Sequence, residues 1–101
     1  MNVLVLSQEH CAFCTQAKEL LARLSAEYGF SVSTLDVSSP EGEALAVQSG
    51  LLFPPGIFLD GEAFSYGRPS ERRLRREIER RLRSVSPFPS EQNQIGFYTE
   101  E

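Results

Sequence analysis

Two cysteines three positions apart are the residues of this sequence with the most distinctive chemistry. Cys11 and Cys14 lie in the stretch SQEHCAFCTQ, and the chain of 101 residues has no other cysteine. Thiols at this spacing can form and break a disulfide, can supply half of a metal site, or can be two buried thiols without chemistry. The elements that hold the pair decide among these possibilities.

The pair lies where a strand passes into a helix. The apolar run Val3-Leu4-Val5-Leu6 precedes it and is continuous, as in a central strand that is covered on both faces. From Ala12 to Tyr28 apolar residues recur at helical spacing, and Gly29 suits the C-cap of that helix. Cys11 is therefore expected at the start of the first helix.

The middle of the chain predicts a second strand and a short helix. Residues 30–37 alternate as a strand does, with Phe30 and Val32 expected to face inward. The stretch SPEGEALAVQSG predicts a helix that Ser39 caps and that begins at Pro40.

A hairpin and a last helix complete the domain. The stretch GIFLDGEAFSY predicts two strands with a turn at Asp60-Gly61. The last helix begins near Ser70 and has an apolar stripe on one face. Three i,i+4 ion pairs are expected along it. The stripe consists of Leu74, Ile78 and Leu82, and the pairs are Glu71–Arg75, Glu77–Arg81 and Glu79–Arg83.

The element order is therefore βαβαββα, which predicts an α/β domain over residues 1–84. Its first two strands should be parallel and its hairpin antiparallel, in a four-stranded mixed sheet with helices on both faces. The proline-rich and polar residues 85–101 predict a mobile C-terminal tail, although Ile95, Phe97 and Tyr98 could dock on the domain or on a partner.

Composition narrows the function further. The apolar fraction of 41% is typical of one soluble domain, which we expect to be a monomer, and the net charge of −4 gives no reason to expect nucleic acid. The early apolar run is too short for an export signal or a membrane span. We therefore expect a cytoplasmic protein, in a reducing compartment where a structural disulfide would not persist. In such a compartment, two cysteines this close in sequence indicate a catalytic pair or ligands of a metal ion.

The arginines are concentrated in one segment, because seven of the nine fall between Ser70 and Arg83. Two interpretations are open. The segment can be a solvated helix whose arginines pair with its own glutamates, or its basic face can attract acidic partners.

A redox pair fits Cys11 and Cys14 best. The N–H groups at the start of a helix favour a thiolate at Cys11, and Cys14, one turn deeper, could resolve a mixed disulfide formed there. A structural zinc ion needs four ligands, whereas Cys11, Cys14 and His10 supply three at most. A c-type haem needs a histidine after the second cysteine, where this chain has Thr15. We expect a redox-active Cys11–Cys14 disulfide, no bound cofactor and no metal.

Two residues before Cys11 could tune it in opposite directions. A protonated His10 would favour the thiolate and Glu9 would oppose it. The other interpretation of His10 is an exposed loop residue without a role.

The prolines Pro54-Pro55 lie just before the third strand, where a proline is tolerated. An X-Pro bond there can be cis, although an ordinary trans bond is the common case. The element order, the Cys-x-x-Cys pair and the stretch Pro55-Gly56-Ile57-Phe58-Leu59-Asp60-Gly61 together resemble a glutaredoxin-like member of the thioredoxin superfamily. The resemblance implies that Cys11 is the nucleophile, Cys14 the resolving thiol and Pro55 a cis proline, with Phe13 in the aromatic place of the dithiol motif.

The chain departs from the glutaredoxin pattern where glutathione binds. Gln8 takes the place of a lysine that binds a glutathione carboxylate, and Pro54, before the expected cis proline, has no N–H to donate. The usual Gly-Gly and Asp after the fourth strand are also replaced, by residues 65–69. Each lost contact costs about 1–3 kcal/mol, which argues against glutathione as the reductant.

The replacement stretch FSYGRPSE is similar to one in the glutaredoxin-like hydrogen donors of ribonucleotide reductase, which thioredoxin reductase reduces. The match rests on Ser65, Arg68 and Pro69, with Gly67 displaced by one position. A local explanation is also open, in which Gly67 turns the chain and Ser70 caps the last helix. The predicted substrate-binding residues are Phe13, Pro54, Pro55, Gly56, Gly67 and Arg68.

These patterns predict a thiol–disulfide oxidoreductase that reduces protein disulfides and is itself reduced by a flavoprotein reductase of the thioredoxin reductase type. One alternative is a glutathione-dependent glutaredoxin. The other is a non-catalytic thioredoxin-fold adaptor or metal-handling module.

Overall fold

Seven elements follow the predicted βαβαββα order. The computed structural model describes residues 1–83, so the predicted tail over 85–101 lies outside the described residues. The elements are β1 (Asn2–Ser7), α1 (Ala12–Tyr28), β2 (Ser31–Asp36), α2 (Pro40–Ser49), β3 (Gly56–Leu59), β4 (Glu62–Tyr66) and α3 (Glu71–Arg83). No helix within this part of the chain is long and apolar enough to span a bilayer.

The strands form the predicted four-stranded mixed sheet, in the order β2-β1-β3-β4. Strands β1 and β2 are parallel, whereas β3 is antiparallel to both β1 and β4. In this register Leu6 lies opposite Gly56, and Gly56 lies opposite Tyr66. The end of β1, the start of β3 and the end of β4 therefore meet at one edge of the sheet.

Both faces of the central strand β1 are covered, as its continuous apolar run predicted. Val3 and Val5 pack in one cluster with buried residues of α1 and α3. Leu6 belongs to a second cluster, with Phe58 and with partly buried residues of α2. Since neighbouring strand residues point to opposite faces, the two clusters place helices on both sides of the sheet.

Two apolar residues are more exposed than the sequence predicted. Val32 lies opposite the buried Val3, on the inward face as predicted, but it is 36% exposed because β2 is an edge strand with little cover. Leu82 is 43% exposed, so the buried stripe of α3 ends at Ile78. The following turn lies at the rim of the sheet, where Arg81 reaches the β3–β4 hairpin.

Ion pairs fasten α3 to its neighbours. Arg75 holds the carboxylate of Glu27 in α1 through two N–H groups, at 2.8 and 3.0 Å, and also pairs with Glu71. Arg81 pairs with Glu77 and with Glu62 of β4. Two of the three predicted pairs within α3 are therefore present, and the third glutamate, Glu79, accepts a hydrogen bond from Tyr28 of α1.

Candidate active site

Cys11 is the N-cap residue of α1. Its backbone is extended, with φ −122° and ψ 108°, and its sulfur accepts the N–H of Cys14 at 3.2 Å. A sulfur thus takes the place that a serine or aspartate oxygen usually has at a helix start. Because Cys11 is only half-buried, its sulfur meets both a backbone donor and solvent, the surroundings in which reactive cysteines are found.

Cys14 lies one turn further along α1 in a different environment. Its side chain is 1% exposed, and both cysteines are free thiols. Burial raises the pKa of the Cys14 thiol, and the neighbouring Cys11 raises it further, whereas the backbone of Gln8 and the Ser7 side chain lower it by less. The pair therefore combines one accessible sulfur with one buried thiol that keeps its proton at neutral pH.

Because the Cys14 thiol is buried, the protein is expected to lose stability at alkaline pH. Since the pKa of Cys14 is raised in the native state, the native protein keeps this proton at pH values where the unfolded chain has lost it. The free energy of unfolding then falls as the pH rises. We expect the wild type to lose more stability than Cys14→Ser between about pH 7 and about pH 10, in urea unfolding with a reductant present.

The Cys11→Ser variant is the matched control for this measurement. It keeps Cys14, so its free energy of unfolding is expected to fall at alkaline pH as that of the wild type does. Parallel pH curves for the wild type and Cys14→Ser would contradict the assignment.

The loop before β3 reaches the same edge of the sheet. Pro55 is buried and immediately precedes Gly56, the partner of Leu6 near the end of β1, so it lies close to the strand end that leads to Cys11. The Pro54–Pro55 peptide bond is cis, as the resemblance implied. The carbonyl of Pro55 accepts the N–H of Gly67 at 2.8 Å, which fastens the β4–α3 connection to this loop.

Phe53 packs against that connection, a contact that sequence analysis did not identify. Its ring lies 5.2 Å from the ring of Tyr66, edge to face, and is itself 50% exposed. Gly67 has φ +81°, and a Cβ at this position would lie 2.8 Å from Cε2 of Phe53. Gly67 therefore allows the backbone to turn and leaves space for the Phe53 ring to pack against it.

Gly67→Ala is expected to destabilise the domain and displace Phe53. The positive φ alone costs a residue with a Cβ about 1–2 kcal/mol, and the contact with Phe53 adds to this cost. Gly29→Ala is the matched control, because Gly29 has the same φ and nothing within 4 Å of its Cβ position. In urea unfolding, Gly67→Ala should lower the free energy of unfolding more than Gly29→Ala does. This difference between the two variants should vanish when Phe53 is also replaced by alanine.

The family comparison decides what kind of domain holds this site. The model of the Glutaredoxin-like domain family (DUF836) matches residues 2–79. The chain belongs to this family. The glutaredoxin-like domain is also similar to uncharacterized proteins of Mycobacterium tuberculosis (strain H37Rv) and Mycobacterium bovis. Each is 38% identical over 82 residues, covering 78% of this chain and 84% of the relative.

Solved structures show the same fold. A thioredoxin variant from Halobacterium salinarum matches with a TM-score of 0.63 and 24% identity, over 85% of this chain and 77% of its own. Oxidised Escherichia coli glutaredoxin matches with a TM-score of 0.58 and 24% identity, over 83% of this chain and all of its own. The predicted thioredoxin-like, glutaredoxin-type fold is therefore confirmed.

The remaining predicted residues of the glutaredoxin-like domain fall near this edge. Phe13, in the first turn of α1, is 40% exposed, and Arg68 is exposed directly after Gly67. Gly56 is buried, and a Cβ there would lie 3.1 Å from Cδ1 of Leu51. His10 is exposed and has φ 57° in the turn before Cys11. Its tuning of Cys11 stays a prediction.

A small polar pocket lies between the carboxyl ends of β1 and β2 and one face of α1. It has a volume of about 120 Å³ and is lined by Ser7, Gln8, Glu9, Lys18, Thr34 and Asp36. Lys18, the one lysine of the chain, was missed by sequence analysis. Its spacing from Cys14, four positions along α1, places it on the same helix face and could have indicated it. In residues 1–83 no group of three or more acidic, histidine or cysteine side chains is arranged to hold a metal ion.

Proposed function

We propose that this glutaredoxin-like domain reduces disulfide bonds in proteins through Cys11 and Cys14. The observation that supports it is the asymmetry of the pair, because Cys11 is accessible and accepts a helix N–H while Cys14 is buried as a thiol one turn away. The attack on a substrate disulfide needs an accessible sulfur such as that of Cys11. Release of the substrate from the mixed disulfide needs a second thiol within reach, such as that of Cys14.

The proposed reaction has two exchange steps. The Cys11 thiolate attacks one sulfur of the substrate disulfide, forming a mixed disulfide and releasing the other sulfur as a thiolate that takes up a proton. Cys14 then gives up its proton and attacks Cys11, releasing the second substrate thiol. Two electrons pass to the substrate, and the domain is left with a Cys11–Cys14 disulfide.

The proposed reductant is a flavoprotein reductase of the thioredoxin reductase type. Pro54 has no N–H to pair with a glutathione backbone, and Gln8 has no charge for its carboxylate. Lys18 could supply that charge from the polar pocket, and this favours glutathione as a second candidate. The same pocket also contains the carboxylates of Glu9 and Asp36, however, and the excess of negative charge opposes a carboxylate ligand.

Coupled turnover tests the proposal. We expect NADPH oxidation with thioredoxin reductase and a protein disulfide, and little with glutathione and glutathione reductase. Mass spectrometry of the oxidised domain should show the loss of two hydrogens, confined to the peptide that contains Cys11 and Cys14. The reverse preference would establish the glutathione-dependent candidate, and absence of turnover in both assays would indicate a non-catalytic adaptor.

A further inference from the structure

Helix α3 has a charge opposite to that of the rest of the chain. It holds seven arginines and three glutamates, a net charge of +4, whereas the whole chain has −4. The residues outside α3 therefore carry −8, of which −5 belongs to residues 1–70. A partner that approaches this domain meets one basic helix on an acidic body.

Two pairs of arginines in α3 lie in different environments. Arg75 and Arg81 turn toward the domain and are held by carboxylates of α1 and β4. Arg72 and Arg76 are exposed and take part in no ion pair within residues 1–83. At a spacing of four residues they lie on one side of the helix, about 40° apart.

This exposed side leads back to the candidate active site. Arg68 is exposed four positions before Arg72, in the connection whose Gly67 N–H binds the carbonyl of Pro55. Arg68, Arg72 and Arg76, which we call the arginine track, thus begin beside the predicted substrate-binding loop and continue along α3. An arginine that is already paired with a carboxylate attracts a further anion weakly. In the described part of the chain, the arginines of the track have no such carboxylate beside them, so they can pair with a ligand.

We propose that the arginine track docks an acidic segment of the protein whose disulfide reaches Cys11. This inference rests on the proposed function and specifies the chemistry of its substrate. An acidic protein segment fits better than an extended polyanion, since charges are screened over about 8 Å at physiological salt and a long polyanion would also meet the acidic body. A short acidic segment can remain on the track.

Two peptides with an activated disulfide test the proposal. Each contains one cysteine joined to 5-thio-2-nitrobenzoate, a flexible Gly-Ser spacer, and a block of either glutamates or glutamines. Attack by Cys11 on the peptide sulfur releases the coloured thiolate, which gives the rate. We expect the glutamate peptide to react about 10-fold faster at low salt, and the advantage to vanish at high salt.

Arg72→Gln with Arg76→Gln should abolish the advantage of the glutamate peptide and leave the glutamine peptide unchanged. The matched control is Ser33→Glu with Gln48→Glu, which alters the net charge equally at exposed positions of β2 and α2. This control should keep most of the advantage. Equal rates for the two peptides, or equal losses in both double variants, would overturn the arginine track. Failure to reduce the glutamine peptide would instead overturn the proposed function.

Discussion

Cys11→Ser is expected to abolish disulfide reduction, with a loss of more than about 10³-fold in turnover. The serine hydroxyl stays protonated at neutral pH, so the helix N–H that the Cys11 sulfur accepts has no anion to stabilise. Cys14 cannot replace it, because its thiol is buried and its pKa is raised. The first exchange step is therefore lost.

Cys14→Ser should behave differently. Cys11 can still attack, but nothing displaces it from the substrate, so a mixed disulfide accumulates in a single turnover. Nonreducing gel electrophoresis and intact mass with a protein disulfide would detect this adduct in Cys14→Ser and its absence in Cys11→Ser. An adduct in Cys11→Ser alone would reverse the assigned roles, and an adduct in both variants would show that either cysteine can attack.

A gain of glutathione coupling is the second large effect that we expect. Gln8→Lys supplies a positive charge for a carboxylate, and Pro54→Val supplies the missing backbone N–H. At about 1–3 kcal/mol for each contact, the double variant should couple to glutathione about 10²- to 10⁴-fold better than the wild type. Valine is tolerated before a proline, since residues at this position favour an extended backbone.

The measurement is NADPH oxidation with glutathione and glutathione reductase at subsaturating glutathione. Gln16→Lys is the matched control, since it adds the same charge at an exposed position of α1 and should give no gain. Each single variant should give part of the effect. If the double variant and Gln16→Lys are equally inactive, the discrimination against glutathione does not lie at Gln8 and Pro54.

The sequence predicted the parts of the structure that depend on local pattern. The limits of α1, the hairpin turn and the caps at Ser39 and Ser70 all follow from neighbouring residues, and the Ser70 hydroxyl does accept the N–H of Arg73. The position of Cys11 followed from the same patterns because it needed only the junction of β1 with α1.

Contacts between distant segments were beyond such patterns. The packing of Phe53 on Gly67 depends on how two loops meet, and no periodicity in either loop contains that information. The exposure of Val32 depends on the position of β2 at the edge of the sheet, and the alternation of residues in β2 does not indicate that position. The pocket around Lys18 likewise joins residues of β1, α1 and β2.

The antiparallel hairpin has a practical consequence for handling this protein. Gly56 and Tyr66 lie together at the candidate active site, so the Asp60-Gly61 turn lies at the other pole, about 14 Å away along β3. Gly61 is exposed, and because its φ of +85° penalises a side chain, a reporter is better inserted beside it than substituted for it. A fluorophore, a surface tether or an inserted reporter at this turn would leave the end of the sheet that holds Cys11 unobstructed for partners in solution.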